Sequence, residues 1–283
     1  MLVKGHEIDT LGIVNSWREE LIARISNLNS TPHLNIIQIG NNEASNKYVA
    51  NKINKAKSLG ISTEHIHLSE KTTEDDLIRY IKECGQPTIL QLPVPKHINV
   101  ERVMEYLDPT VDVDGFTLVQ KGLLANGDKK ALVPATALGV LRILKSQIDL
   151  CGRKAVIVNR SHLIGKPLAQ LLLNENCYVT VLHSRVDMES LREETRSADI
   201  VVTGCGLRNV FDSSYFSEEQ ILVDCSMNRV DGVPGVGDMD KADIMQYLSV
   251  AIASGYGHTG LATVMGLMEN VVKVYELREK GNN

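Results

Sequence analysis

Four side chains in the first 114 residues have types suited to moving a proton on a flat substrate. Tyr48 and Lys52 are four residues apart, and a helix stacks such positions one turn above the other. A lysine beside a phenol can carry a proton once desolvation lowers its pKa, while the ring offers a stacking surface. A solvated lysine and a partly buried tyrosine would give the same spacing. Gln91 lies in Leu90-Gln91-Leu92-Pro93-Val94-Pro95, where two prolines bar a ladder from continuing and leave an amide near the strand's carboxyl end. That amide can donate and accept together, in catalysis or as an ordinary satisfied polar group. Asp112-Val113-Asp114-Gly115-Phe116 sets two acids on one side of an extended segment before a Gly turn. A carboxylate there either holds the amino and ring N–H groups of a heterocycle or closes an Asx-type turn.

A second group lies downstream. Val158-Asn159-Arg160-Ser161-His162-Leu163-Ile164-Gly165-Lys166-Pro167 follows a predicted strand and opens a predicted helix, as a dinucleotide site requires, although it lacks a plain G-x-G-x-x-G. The next strand ends in Leu182-His183-Ser184-Arg185, where the usual NAD site places an acid for the ribose hydroxyls. Hydroxyl and guanidinium groups there, with Arg160, favour a 2′-phosphate. Gly204-Cys205-Gly206 either lets backbone approach a cofactor or forms an ordinary turn. His65 and His67 share a strand face, but no carboxylate or cysteine lies nearby in sequence, so no metal site is expected. No G-x-S-x-G elbow or P-loop occurs. Lys47, Lys52, Lys55 and Lys57 make their helix basic on several sides, as a solvated helix or as an attraction for an acidic tail.

These groups need a frame, and alternating strands and helices supply one. Strands are predicted over His33–Ile39 and Pro87–Val94, with helices over Ala44–Leu59 and Thr73–Cys84. Val49, Ile53, Ala56 and Leu59 form the buried stripe of the first of these helices, and Gly60 stops it. A second series has strands at Lys154–Val158, Tyr178–Leu182, Asp199–Thr203 and Ile221–Asp224, with helices over Lys166–Asn174 and Met188–Ser197. A helical segment around Ala137–Ser146 lies between the two series, and Gly260–Glu279 closes the chain. Such alternation implies two α/β domains with mostly parallel sheets and ligands at the strands' carboxyl edges. The expected division is 1–138, with 260–283 returning to it, and 139–259 as a Rossmann-like domain, with a cleft between them.

Composition agrees with that class. The 283 residues suit about two domains. With 43% hydrophobic and 23% charged residues the chain can bury a sizeable core. A net charge of −5 lacks the basic excess that drives phosphate-backbone binding, so no nucleic-acid partner is expected. The five cysteines are odd in number and widely spaced, which favours reduced thiols over a disulfide framework or a zinc site. Residues 1–20 mix acids and bases without an apolar block, and no apolar run approaches the roughly 18 residues that cross a bilayer. A cytoplasmic protein with no membrane partner is expected.

Taken together, Tyr48-x-x-x-Lys52, Gln91-Leu92-Pro93-x-Pro95, Asp112-Val113-Asp114-Gly115-Phe116 and Arg160-Ser161-x-x-Ile164-Gly165-x-Pro167 resemble the methylenetetrahydrofolate dehydrogenase/cyclohydrolase family, the bifunctional FolD proteins. The likeness runs from about residue 36 to Leu267-Met268-Glu269-Asn270. It implies an N-terminal three-layer α/β folate domain, a C-terminal NAD(P)-binding domain and a homodimer paired through the latter. It implies oxidation of 5,10-methylene-tetrahydrofolate with NADP, then hydrolysis to 10-formyl-tetrahydrofolate. Carried over by position, Lys52 activates water or shuttles the proton in hydrolysis, Tyr48 packs on the folate ring system and helps orient Lys52, Gln91 tunes the lysine and Asp114 grips the pterin. Leu90, Leu92, Gly257, His258 and Gly260 complete the implied substrate contacts. Asn159, Arg160, Ser161, Ile164, Gly165, Ser184, Arg185 and Met227 are the implied cofactor contacts.

The chain also departs from the family's pattern. Asn159 stands for the first residue of Gly-Arg-Ser, and Asn tolerates a left-handed backbone. Asp224-Cys225-Ser226-Met227-Asn228 replaces Asp-Val-Gly-Ile-Asn, and Pro134-Ala135-Thr136-Ala137 replaces Pro-Cys-Thr-Pro. Tyr256-Gly257-His258-Thr259-Gly260-Leu261 replaces Pro-Gly-Gly-Val-Gly-Pro, and Val111 a lysine. A divergent enzyme, a paralogue keeping one activity and a binder of folate or nucleotide without turnover are the readings these changes leave. A non-enzymatic α/β interaction protein leaves the joint presence of Tyr48, Lys52, Gln91 and Asp114 unexplained.

Overall fold

Short runs of Ile, Leu and Val between amphipathic stretches form parallel strands and covering helices, because a strand buried on both faces must be apolar throughout. The computed structural model describes residues 5–230, 233–254 and 257–281. The chain begins with β1 (His6–Glu7) and α1 (Thr10–Ser26), then β2 (His33–Ile39), α2 (Glu43–Ser58), β3 (Ser62–Leu68), α3 (Glu74–Glu83) and β4 (Thr88–Leu90). Helices α4 (Val100–Met104), α5 (Leu118–Ala125) and α6 (Ala135–Gln147) follow. Next come β5 (Lys154–Val158), α7 (Gly165–Asn174), β6 (Tyr178–Leu182), α8 (Met188–Arg196), β7 (Ile200–Thr203) and β8 (Ile221–Asp224). The pair β9 (Asn228–Val230) and β10 (Val233–Val236) precedes α9 (Lys241–Tyr247), β11 (Ala251–Ala253) and α10 (Thr259–Gly281).

One unit comprises Ser16–Ala135 and Val264–Asn283. Its three-stranded parallel sheet has the order β3-β2-β4, with Ile37 paired to Ile66 on one side and to Leu90 on the other. The central strand is buried from Leu34 to Ile39. Helix α3 packs Leu77, Ile78 and Ile81 against Ile37, Ile39 and Leu90. Thr73 caps it by accepting the Asp76 N–H at 3.2 Å, and Glu74, Asp75 and Asp76 in the first turn complement the helix dipole. Helix α2 buries Val49, Ala56 and Leu59 and ends at Gly60, whose φ of +78° suits glycine.

The other unit comprises Met1–Asn15 and Thr136–Thr263. Its six strands run in the order β1-β11-β8-β7-β5-β6, every pairing parallel. β7 and β8 are buried throughout and β5 from Ala155 onward. The sequence reading placed residues 1–138 together, whereas His6 and Glu7 pair with Ala251 and Ile252 at the edge of this sheet. Two exposed polar residues carry no strand pattern; the main-chain bonds from His6 N to Val250 O and from Ile8 N to Ile252 O, both 2.9 Å, hold them.

Candidate active site

In the first unit, β2 ends at Ile39 and α2 begins at Glu43, so the first turns of α2 follow the strand's carboxyl end. The stripe that buries Val49 and Ala56 fixes how α2 is rotated and leaves Tyr48 47% exposed. One turn on, the Lys52 Nζ donates to Gln91 Oε1 at 2.8 Å. Gln91, just past β4, is buried; its Nε2 donates to the Leu92 carbonyl at 2.6 Å, which aims the amide oxygen at the lysine. Leu90 is buried beneath it and Leu92 half-buried. Burial pulls the Lys52 ammonium below the ordinary lysine range, and the nearby Asp114 carboxylate opposes that shift. The Asp114 carboxyl is pushed up to about 6 by burial, with Lys52 acting against the rise and Asp112 adding to it. A lysine held below its ordinary range and a carboxyl raised to about 6 therefore lie within electrostatic reach of each other.

The two acids do not share one face of an extended segment. Pro109–Val111 form a single 3₁₀ turn, and Asp112 is fully buried, its Oδ2 accepting the Thr117 N–H at 2.7 Å. Asp112 thus closes the local turn, and Asp114 is the half-buried carboxyl available to a ligand. The turn reading of this segment thus applies to Asp112. Sequence reasoning assigned no role to Asn270, yet its Nδ2 donates to the carbonyls of Val113 and Val133, both at 2.7 Å. The available signal was an amide on a helix face otherwise buried through Leu267, Met268, Val271 and Val274. His65 and His67 are stacked with ring centroids 5.4 Å apart and bond to Gln38 Oε1 and the Gly40 carbonyl.

In the second unit, Val158 pairs with Leu182 on one side and Thr203 on the other. The turns after β5, β6 and β7 therefore emerge together at the carboxyl edge, and strand order reverses between β5 and β7, where open α/β sheets take ligands. Arg160, Ser184 and Arg185 are exposed there, and no acid ends β6. Ser161 Oγ accepts the Ile164 N–H at 3.1 Å. Gly165 must lack a side chain, since a Cβ would stand 1.9 Å from the Asn159 carbonyl oxygen. Asn159 is absent from the positive-φ residues, so it does not act through a left-handed backbone; its side chain instead bonds Ser161, Gly165 and Gly204. The β7 turn is held from below by Asp238, which accepts the Cys205 and Leu207 N–H groups at 2.5 and 2.8 Å, and by Ser226 Oγ, which accepts from Gly206 at 3.0 Å. Burial raises the Asp224 carboxyl to about 6, against hydrogen bonds from Met239, Ser226 and Ser254.

Gly257, His258 and Gly260 belong to this second unit. His258 is not free for a substrate: its Nδ1 meets Thr10 Oγ1 at 3.0 Å and its Nε2 lies 3.4 Å from Glu7 Oε2. Glu7 also takes the Lys241 ammonium at 2.6 Å. The ring anchors its loop to β1 and α1, an attachment hidden in sequence by some 250 intervening residues. A Cβ at Gly260 would stand 3.5 Å from the Met227 Cε, so Met227, 37% exposed, borders that glycine. Tyr256 lies outside the described residues. No group of three or more histidine, cysteine, aspartate or glutamate side chains is placed to hold a metal among the described residues.

Residues 8–114 match the profile of the tetrahydrofolate dehydrogenase/cyclohydrolase catalytic domain, and residues 134–279 that of the same family's NAD(P)-binding domain. The chain is 38% identical over 275 residues to the bifunctional protein FolD of Wolbachia sp. subsp. Drosophila simulans, covering 94% of this chain and 93% of that one. The crystal structure of FolD methylenetetrahydrofolate dehydrogenase/cyclohydrolase from Campylobacter jejuni is similar at a TM-score of 0.90 and 32% identity, covering 96% of this chain and 99% of that one. The bifunctional enzyme from Thermoplasma acidophilum also gives a TM-score of 0.90, at 29% identity, over 98% of this chain and all of its own (100%).

Proposed function

The chain belongs to the tetrahydrofolate dehydrogenase/cyclohydrolase family, and from that premise we propose that it oxidises 5,10-methylene-tetrahydrofolate to the 5,10-methenyl form with NADP and hydrolyses the product to 10-formyl-tetrahydrofolate. The observation that carries this reading is the 2.8 Å hydrogen bond from Lys52 to Gln91, made by an ammonium whose pKa is lowered by burial and opposed by Asp114. A solvated surface lysine would have neither the partner nor the shift.

NADP, when bound, accepts the hydride that leaves the methylene carbon. The chain's own part in that step is orientation, because departure of the hydride leaves an iminium cation that needs no covalent help. Tyr48 supplies a face for the folate ring system and Asp114 an acceptor for the pterin amino and ring N–H groups, with Leu90 and Leu92 lining the site. In hydrolysis, water adds to the methenyl carbon and its proton passes to Lys52, the proton carrier that Gln91 holds in place. The C–N5 bond then breaks as the adduct's hydroxyl gives up its proton and N5 takes one up, and the formyl group stays on N10. The exposed Arg160, Ser184 and Arg185, with no acid at the end of β6, suit the 2′-phosphate of NADP. Ser161, Ile164, Gly165 and Met227 shape the remainder of that site. Gly257 and Gly260 remain candidates for the substrate wall, and His258 supports their loop.

A homodimer through the NAD(P)-binding domain fits an exposed edge: β6 ends its sheet with Tyr178 69% exposed and Val181 37% exposed. A cytoplasmic enzyme serving one-carbon metabolism and purine biosynthesis fits the free cysteines and the helices, none of which among the described residues is long and apolar enough to cross a membrane. The test is the absorbance of methenyl-tetrahydrofolate formed from the methylene compound with NADP, followed by its decay. Formation with enzyme-dependent decay is expected; formation without that decay leaves a dehydrogenase, and binding without formation leaves a non-catalytic paralogue.

A further inference from the structure

Asn159 lies just past the end of β5, and its side chain spans two loops that meet at the reversal of strand order between β5 and β7. Its Oδ1 accepts the N–H groups of Ser161 at 2.8 Å and Gly165 at 2.9 Å, and its Nδ2 donates to the Gly204 carbonyl in a short hydrogen bond. We propose that Asn159 is a positioning residue for the dinucleotide, clamping the β5–α7 turn to the β7 turn without itself being needed as a cofactor contact.

The hydrogen-bond accounting of the turn supports this role. The Gly165 N–H is used by Asn159, the Ile164 N–H by Ser161 Oγ, and the Lys166 N–H by the Ser161 carbonyl at 3.0 Å, while Pro167 has none to give. The donors that a helix N-terminus ordinarily turns toward a phosphate are therefore spent inside the turn. Recognition then rests on side chains such as Arg160 and on the spacing of the two turns. Asp238 and Ser226 fix the β7 turn from its far side, and Asn159 ties it to the β5 turn. The contact is close-fitting, since a Cβ on Gly204 would lie 3.1 Å from the Asn159 Nδ2. A glycine at 159 would leave the Gly204 carbonyl without this partner and free two N–H groups in the turn.

The inference rests on the NADP reading, and the test separates the two. The readouts are kcat, KM for NADP and the rise in melting temperature that NADP produces. Loss of the three side-chain hydrogen bonds in Asn159→Ala is expected to raise the KM for NADP about tenfold with kcat within about twofold of the parent, and to shrink the NADP-induced rise. Asn159→Asp keeps the oxygen that accepts both N–H groups within the turn but sets a second oxygen against the Gly204 carbonyl; it is expected to recover the melting temperature of the free protein without recovering KM, in high salt as in low. A fall in melting temperature with kcat and KM unmoved would make Asn159 merely structural and overturn the inference. Recovery of KM in Asn159→Asp would overturn the clamp between loops. Should the parent protein bind NADP without turnover, the functional reading fails, while the Ala-dependent change in melting rise still decides the role of Asn159.

Discussion

Asn270, in α10, donates a 2.7 Å hydrogen bond to the carbonyl of Val113, the residue next to Asp114. The same amide nitrogen also serves the Val133 carbonyl, and Asn270 is 1% exposed, so no solvent replaces it. Asn270→Ala leaves two buried carbonyls unpaired and is expected to cost about 2–4 kcal/mol, read as a lower urea midpoint. The folate KM should rise with it, because the Asp114 segment loses its brace. An unchanged midpoint would mean that water reaches those carbonyls.

Lys52→Met is expected to abolish hydrolysis of the methenyl compound while sparing part of the hydride transfer, because only the hydrolytic step consumes a proton acceptor at that position. Single-turnover absorbance of the methenyl species checks it: the intermediate should accumulate. Hydrolysis at the parental rate would remove Lys52 from the mechanism.

Asp114→Asn tests the electrostatic link. The Asp114 carboxylate favours the protonated lysine, so deleting its charge should lower the Lys52 pKa further. The rising limb of the hydrolysis rate against pH then moves to lower pH, while the folate KM increases through the altered pterin contact. A limb that stays in place, or moves to higher pH, contradicts the coupling.

His258 gives a stability prediction. Burial, with Lys241 second, holds its imidazole below the ordinary histidine range, against Glu7. The folded state thus binds fewer protons than the unfolded chain, and stability should fall as pH drops from about 6.5 through the depressed folded value. His258→Ala should cost about 1 kcal/mol at pH 7.5 and flatten that acid sensitivity, which denaturant titrations at several pH values can measure.

Removing guanidinium charge where the turns after β5 and β6 emerge should act on one cofactor more than the other. Arg160→Ala combined with Arg185→Ala is expected to weaken NADP by roughly thirty- to several-hundredfold and NAD much less, since each charge-assisted bond to a 2′-phosphate contributes about 1–2 kcal/mol. Equal losses with both cofactors would place the phosphate elsewhere.

The strands most visible in the sequence are those buried on both faces: His33–Ile39, Lys154–Val158 and Ile221–Asp224 have the limits that their β-branched runs predict. Helices with a single apolar stripe came within a residue or two, Thr73 and Cys84 proving to be the caps of α3. The predicted strand Pro87–Val94 is only Thr88–Leu90, because the prolines end pairing sooner. Within the site, Lys52, Gln91 and Asp114 were legible as a combination of residue types. Asp112 was legible as one side of an open choice between turn and ligand; Asn270, Asp238 and the ring of His258 were not, because their partners are main-chain groups or residues remote in sequence, and hydrogen bonds of that kind leave no periodic trace. Asn159 was legible as an exception, but its use as a side-chain tie was not.

The polypeptide changes unit after Asn15, after Ala135 and after Thr263. Each unit is consequently assembled from two separate stretches, and a ribosome must have made residues beyond 264 before the brace on Val113 can exist. A nascent chain released short of Asn270 would carry Tyr48 and Lys52 on α2 yet leave the Val113 carbonyl, next to Asp114, without its anchor. The order of translation thus makes the segment bearing Asp114 among the last parts of the pocket to set.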